Sequence, residues 1–167
     1  MKNLNLFVRS TILTCLLIFG TLTLTAQHGG GVSYDYPKEK EEIMETMGDI
    51  VQSVIDGDLD KLISFHAYGP KFTEFKQGAP RNGSEANEAH ERGVFGSVTE
   101  VVKMDAKDMK IAVYYGTVAN VTFHSDFHLK FGEDLVVVND QITLLFVKDK
   151  NGDWKIVHEH HSPLNKD

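Results

Sequence analysis

Asn151-Gly152-Asp153-Trp154-Lys155-Ile156-Val157-His158-Glu159-His160-His161-Ser162 decides how this chain is read. Asn-Gly is a two-residue hairpin signal, and the residues after it are aromatic, β-branched or alternating, as a strand requires. Upstream, the stretches 98–104, 109–129 and 134–148 are rich in Val, Ile, Thr, Tyr and Phe. Asp105-Ala106-Lys107-Asp108, Gly132-Glu133 and Asn151-Gly152 separate them. Connections this short imply antiparallel neighbours, and segments this long must bend, with Gly116 as the expected bend.

Helices precede the strands. Pro37 suits a first helical position, and Glu39, Glu41 and Glu42 complement the positive end of the helix dipole. Ile43, Met44, Met47, Ile50, Val51, Val54 and Ile55 then form one helical stripe, which Gly57 stops. Asp58 caps a short second helix carrying Leu59, Leu62, Ile63 and Phe65, and Ser84 to about Arg92 reads as a third. Helices first and a long curved antiparallel sheet after them make an α+β domain with the helices on the concave side.

The N-terminus carries a different message. Lys2 and Arg9 precede an apolar run from Thr11 to Thr25, followed by Ala26-Gln27. A core of about 15 residues is short for a membrane span and reads as a cleaved secretory signal, the alternative being an N-terminal anchor. The expected organisation is a signal peptide at 1–26, a flexible leader at 27–36 with three consecutive glycines, and one domain at 37–163. That predicts a periplasmic or secreted protein with no membrane attachment after cleavage. Cleavage after Thr25 would leave Ala26-Gln27-His28, a tripeptide able to chelate copper or nickel, against the plainer reading of an incidental tail histidine.

Cys15 is the only cysteine and leaves with the signal, so disulfides and thiolate chemistry are excluded from the mature chain. Of 17 basic residues Lys2 and Arg9 also leave, so 15 face 24 acidic ones, a net charge of −9. Such a surface offers no basic patch for nucleic acid.

The Asp56-Gly57-Asp58-Leu59 turn and the Trp154–Ser162 run, in this order of helices and strands over residues 38–162, resemble the SnoaL-like branch of the nuclear transport factor 2-like superfamily. The closing strand is most similar to the association domain of calcium/calmodulin-dependent protein kinase II. The resemblance implies a cone-shaped sheet wrapped around the N-terminal helices, a pocket inside the cone and frequent homodimers. It also implies that His90 matches a pocket histidine of the third helix. Positions held by arginines in the association domain fall on Tyr115, Leu144 and His161. The expected ligand is therefore small and hydrophobic or weakly acidic, held by His90, Tyr115, Glu159 and His161, with no cofactor.

Catalysis is the alternative: a cofactor-free isomerase, lyase or cyclase with Glu159 as candidate base, Asp140 as a second, and Tyr114 or Tyr115 as donors. Strand alternation puts Glu159 with Val157 and His161 on one face. A non-catalytic oligomerisation module is a further alternative. His124, Asp126 and His128, at i, i+2 and i+4 on one strand face, are the residues that could hold a metal, although the plain expectation is none.

Overall fold

The computed structural model describes residues 35–164. The expected signal peptide, most of the leader and the Ala26-Gln27-His28 tripeptide lie outside the described residues. Helix α1 (Pro37–Asp56) leads into α2 (Leu59–Ser64), β1 (Thr73–Lys76), β2 (Ala79–Pro80) and α3 (Ser84–Phe95). Five strands follow: β3 (Glu100–Tyr114), β4 (Val118–Phe131), β5 (Asp134–Val138), β6 (Asp140–Lys148) and β7 (Trp154–Pro163). Among the described residues no helix is long and apolar enough to cross a membrane.

The helical punctuation is as the residues dictate. Gly57 ends α1 at φ 67°, its N–H donating to the carbonyls of Ser53 and Val54, and the Asp58 carboxylate accepts from the Lys61 N–H at 2.9 Å. The stripe of α1 buries Ile43 and Met47 against Val113, Val121, Phe146 and Trp154 of the sheet. Trp154 is locked from both sides: its indole N–H donates to Glu42 at 3.0 Å, and the Lys148 ammonium lies 4.9 Å from its ring centre. Hydrogen bonds from Lys148 and Trp154 hold the Glu42 carboxyl down at about 2.

The sheet runs β2-β1-β7-β6-β4-β3, with β5 pairing β4. It is curved and unclosed, and it departs from expectation in four places. It is mixed rather than wholly antiparallel, because β1 joins β7 in parallel. Asp105–Asp108 does not end a strand; β3 runs through it with a register shift between Lys107 and Lys110, Asp108 taking φ 53°. Tyr115 and Gly116, at φ 54° and 68°, form the turn between β3 and β4 instead of a bend within one strand. Asn139 splits the stretch 134–148 into β5 and β6.

A register shift in β7 matters most for function. Phe146 pairs with Ile156 but Leu145 pairs with His158, leaving Val157 as the extra residue of a bulge. The bulge changes which parity faces inward. Trp154, Ile156 and Glu159 are buried, so Glu159 shares its face with Ile156 rather than with Val157 as simple alternation requires.

Candidate functional site

The concave face, α1 and α3 enclose a cavity of about 130 Å³. Its walls are apolar, with Ile50, Val54, Leu62, Phe95, Phe123 and Ile142 among them. At one end six polar side chains converge: His66, Lys76, His90, Glu91, Glu159 and His161. Three elements bring them there. α3 presents Asn87, His90, Glu91, Val94 and Phe95 at helical spacing, polar in its first half and apolar in its second. β1 lies parallel to β7 with Glu74 opposite Glu159 and Lys76 opposite His161. His66 follows α2 and bridges to Ile156.

Two buried carboxylates organise this end, and each is fully partnered. Glu159 is 4% exposed. Its Oε1 lies 2.7 Å from His66 Nε2, and its Oε2 lies 3.2 Å from His161 Nε2. The other ring nitrogen of His66 faces the Ile63 carbonyl at 3.3 Å. Both nitrogens therefore meet acceptors, which only the doubly protonated ring satisfies. Burial opposes charge on both groups, but the mutual hydrogen bond and attraction win: His66 is raised above the ordinary imidazole value and Glu159 is held below the usual carboxylate range. Glu74, 1% exposed, accepts from Arg81 at 3.1 Å and from the Asn87 amide at 2.9 Å. The Tyr68 hydroxyl donates to Asn87, and its ring stacks on His66 at 5.0 Å.

Glu91 differs from both. Among the described residues it has no hydrogen-bonding or ionic partner, and it faces the cavity between Glu159 and Glu74. Burial, then the Glu159 charge, pushes its carboxyl up to about 8, so at neutral pH it is a neutral acid with an O–H to offer. His90 beside it is lowered by burial and by Arg81 and Lys76, which leaves it neutral. Lys76 is the cavity-lining ammonium without an ion-pair partner among the described residues.

Of the residues singled out from sequence, His90, Glu159 and His161 come together in the cavity. Tyr115 does not: it is 76% exposed in the β3–β4 turn, since a two-residue turn with positive φ cannot point its side chain into the cone. Tyr114 is 38% exposed. Asp140 is buried next to Ser125, which bonds its backbone N–H at 2.8 Å, but it is not part of the cavity lining. Leu144 lines the wall. The possible metal triad is closed by cations instead: Asp126 meets Lys103 and Lys107 at 2.5 Å each and His128 at 2.8 Å, while His124 turns to Asp108 at 3.3 Å. Those bonds hold Asp126 far below the usual carboxylate range, and a cation would have to displace two lysines. Sequence reasoning missed Glu91, Lys76, Glu74 and His66. The Asn87, His90, Glu91, Val94, Phe95 spacing on α3 was the signal available, a core-facing stripe with polar members.

The sequence profile of the SnoaL-like domain matches residues 43–166. No curated protein sequence matches the chain. Solved structures share the fold at low identity. One is a candidate dehydratase of the nuclear transport factor 2-like family from Streptomyces avermitilis, 18% identical with a TM-score of 0.67, covering 77% of this chain and 98% of that one. A candidate scytalone dehydratase from Novosphingobium aromaticivorans is 14% identical with a TM-score of 0.66, covering 77% and 85%. A candidate calcium/calmodulin-dependent kinase II association domain from Exiguobacterium sibiricum is 15% identical with a TM-score of 0.63, covering 77% and 95%.

Proposed function

Because the chain belongs to the SnoaL-like domain family, whose fold serves unrelated chemistries, we propose from the site alone that its cone is a small-molecule-binding pocket for a ring-sized ligand with one acidic or carbonyl end. The observation that carries this reading is the cavity itself: apolar walls closed at one end by Glu91, His90 and Lys76, which have no partner of their own among the described residues. Magnitude limits the ligand. A cavity of about 130 Å³ is comparable with an engineered void of about 150 Å³ that takes benzene, so a steroid or polyketide is too large to be held wholly inside the cone. A ring of six to ten heavy atoms fits the walls, and an oxygen at its end meets the Glu91 O–H and the Lys76 ammonium.

Benzoate is the probe this geometry selects. Calorimetry is expected to show binding by the wild type and none by Val94→Trp, which fills the cavity from α3. Binding by both variants alike would remove the cavity from the account. His161 is already engaged by Glu159, so the cation that meets an acidic ligand first is Lys76.

One observation favours a second reading, a cofactor-free lyase or isomerase. Glu91 and Glu159 face one cavity with their protonation states pushed apart, the arrangement an acid–base pair needs. Glu159→Gln separates the readings for any molecule that is turned over: lost turnover with retained affinity favours catalysis, and unchanged turnover removes Glu159 from it.

The outer face supports a homodimer. On β5 Leu135 and Val137, opposite Lys130 and His128 of β4, are 53% and 46% exposed on the outer face, and Val102 at the β3 register shift is 49% exposed, more apolar surface than a solvated strand pair needs. Light scattering at tens of micromolar is expected to give twice the chain mass, and Val137→Lys the single mass. A monomer in the wild type contradicts the dimer without touching the pocket.

A further inference from the structure

Four of the five methionines of this chain line one groove. Met44 and Met47 lie one turn apart on α1, and Met104 and Met109 lie on β3 across from them. Met104 and Met109 are five positions apart, so a regular strand would place them on opposite faces. The register shift between Lys107 and Lys110, with Asp108 at φ 53°, removes that difference, and both line the groove that β3, an end strand of the sheet, forms with α1. The groove measures about 430 Å³ and opens to solvent at Met44, which is 61% exposed. Gly48 keeps part of it bare: a Cβ there would meet nothing within 4 Å, although a mid-helix glycine costs stability that alanine would not. At the rim Asp105 lies 3.4 Å from Lys103, and Lys107 pairs with Asp126, so both rim charges are compensated.

We propose that this groove is a binding site for a soft monovalent metal ion, Cu(I), held by the thioether sulfurs of Met44, Met47, Met104 and Met109. Thioethers are uncharged, polarisable donors, and soft sulfur ligands select Cu(I) over harder divalent ions. Core packing does not require this concentration of sulfur, because leucine fills equivalent positions with better-defined rotamers and methionine is the flexible gap-filler. Nor does packing require the exposed Met44. The site is distinct from the cone cavity: Met44 and Met109 line the groove only, whereas Met47 and Met104 stand between the two. No electron transfer is involved; the ion arrives and leaves as Cu(I).

Leucine exchange isolates the sulfur from the shape, since Met-to-Leu swaps conserve volume and polarity. The full chain is titrated with Ag(I) in chloride-free buffer by calorimetry, Ag(I) being a redox-inert stand-in, and with Cu(I) anaerobically against bathocuproine disulfonate. One ion per chain with sub-micromolar affinity is expected. The double variant Met44→Leu/Met109→Leu is expected to melt like the wild type and to bind at least about tenfold more weakly. Thioethers do not titrate, so affinity is expected to be flat from pH 5.5 to 7.5, where an imidazole site would weaken on acidification. No binding at micromolar concentration, wild-type affinity in the double variant, or a histidine-like fall at low pH would each overturn the assignment. Should the double variant fail to fold, Met44→Leu alone, at an exposed position, gives the same comparison.

Discussion

Glu91→Gln stabilises the protein at pH 8 and leaves it almost unchanged at pH 4. The wild-type carboxyl is neutral in the folded cone up to about 8 but ionises in the unfolded chain near 4.5. Between those values the unfolded state releases a proton that the folded state keeps, so stability falls as pH rises across that window. His66 adds to the trend: its raised value means a contribution fully present below 6.5 that is lost as pH rises through the folded value. Glutamine mimics the neutral acid at every pH and removes the Glu91 part alone. Water reaches the cavity and screens the effect, so the gain at pH 8 is on the order of 2 kcal/mol rather than the full shift. Urea unfolding of both proteins at pH 4, 6.5 and 8 measures it. A difference independent of pH would mean that Glu91 is ionised in the folded state, and the neutral donor would be lost from the site.

His66→Ala has the opposite sign and a larger effect. It leaves Glu159 almost wholly buried with only the longer His161 contact, and removing one partner of a buried ion pair costs about 3–5 kcal/mol. The loss has its own pH signature. Glu159 contributes stability above 4.5 that disappears as pH falls through its lowered value, while His66 contributes below 6.5. The pair is therefore worth most between those two values, and His66→Ala should cost most at pH 5–6. If His66→Ala does not fold, His66→Gln, which keeps one donor, should unfold at intermediate urea. A loss below about 1 kcal/mol at pH 5.5 would contradict the ion pair.

Much of this fold is legible in the chain because its signals are local. The stripe from Ile43 to Ile55, the Gly57 stop and the Asp58 cap each rest on neighbours a few residues away, and α1 and α2 follow. The Trp154 strand begins where Asn151-Gly152 says it must. What failed depends on distant partners. Asp105–Asp108 has the composition of a turn, yet pairing with His124–Asp126 carries the strand through it as a bulge. The extra residue Val157 likewise exists only relative to β6, and it decides that Glu159 joins Ile156 inside. His90 and His161 were accessible through resemblance to a known family, and Tyr115 was misplaced by the same route because its turn lies at the other end of the strand. Glu91 was hidden for a physical reason: a glutamate on a helix normally faces water, and only the surrounding Glu159, Glu74 and apolar wall turn it into a neutral acid.

The measurement that bears most directly on the pocket is a heteronuclear NMR titration of the full chain with benzoate. Shift changes are predicted at Lys76, His90, Glu91 and the methyls of Val54, Leu62 and Ile142, with Val137 and Met44 unmoved, and the whole pattern absent in Val94→Trp. Shift changes confined to the outer sheet face, or none at millimolar benzoate, would contradict a ligand pocket inside the cone.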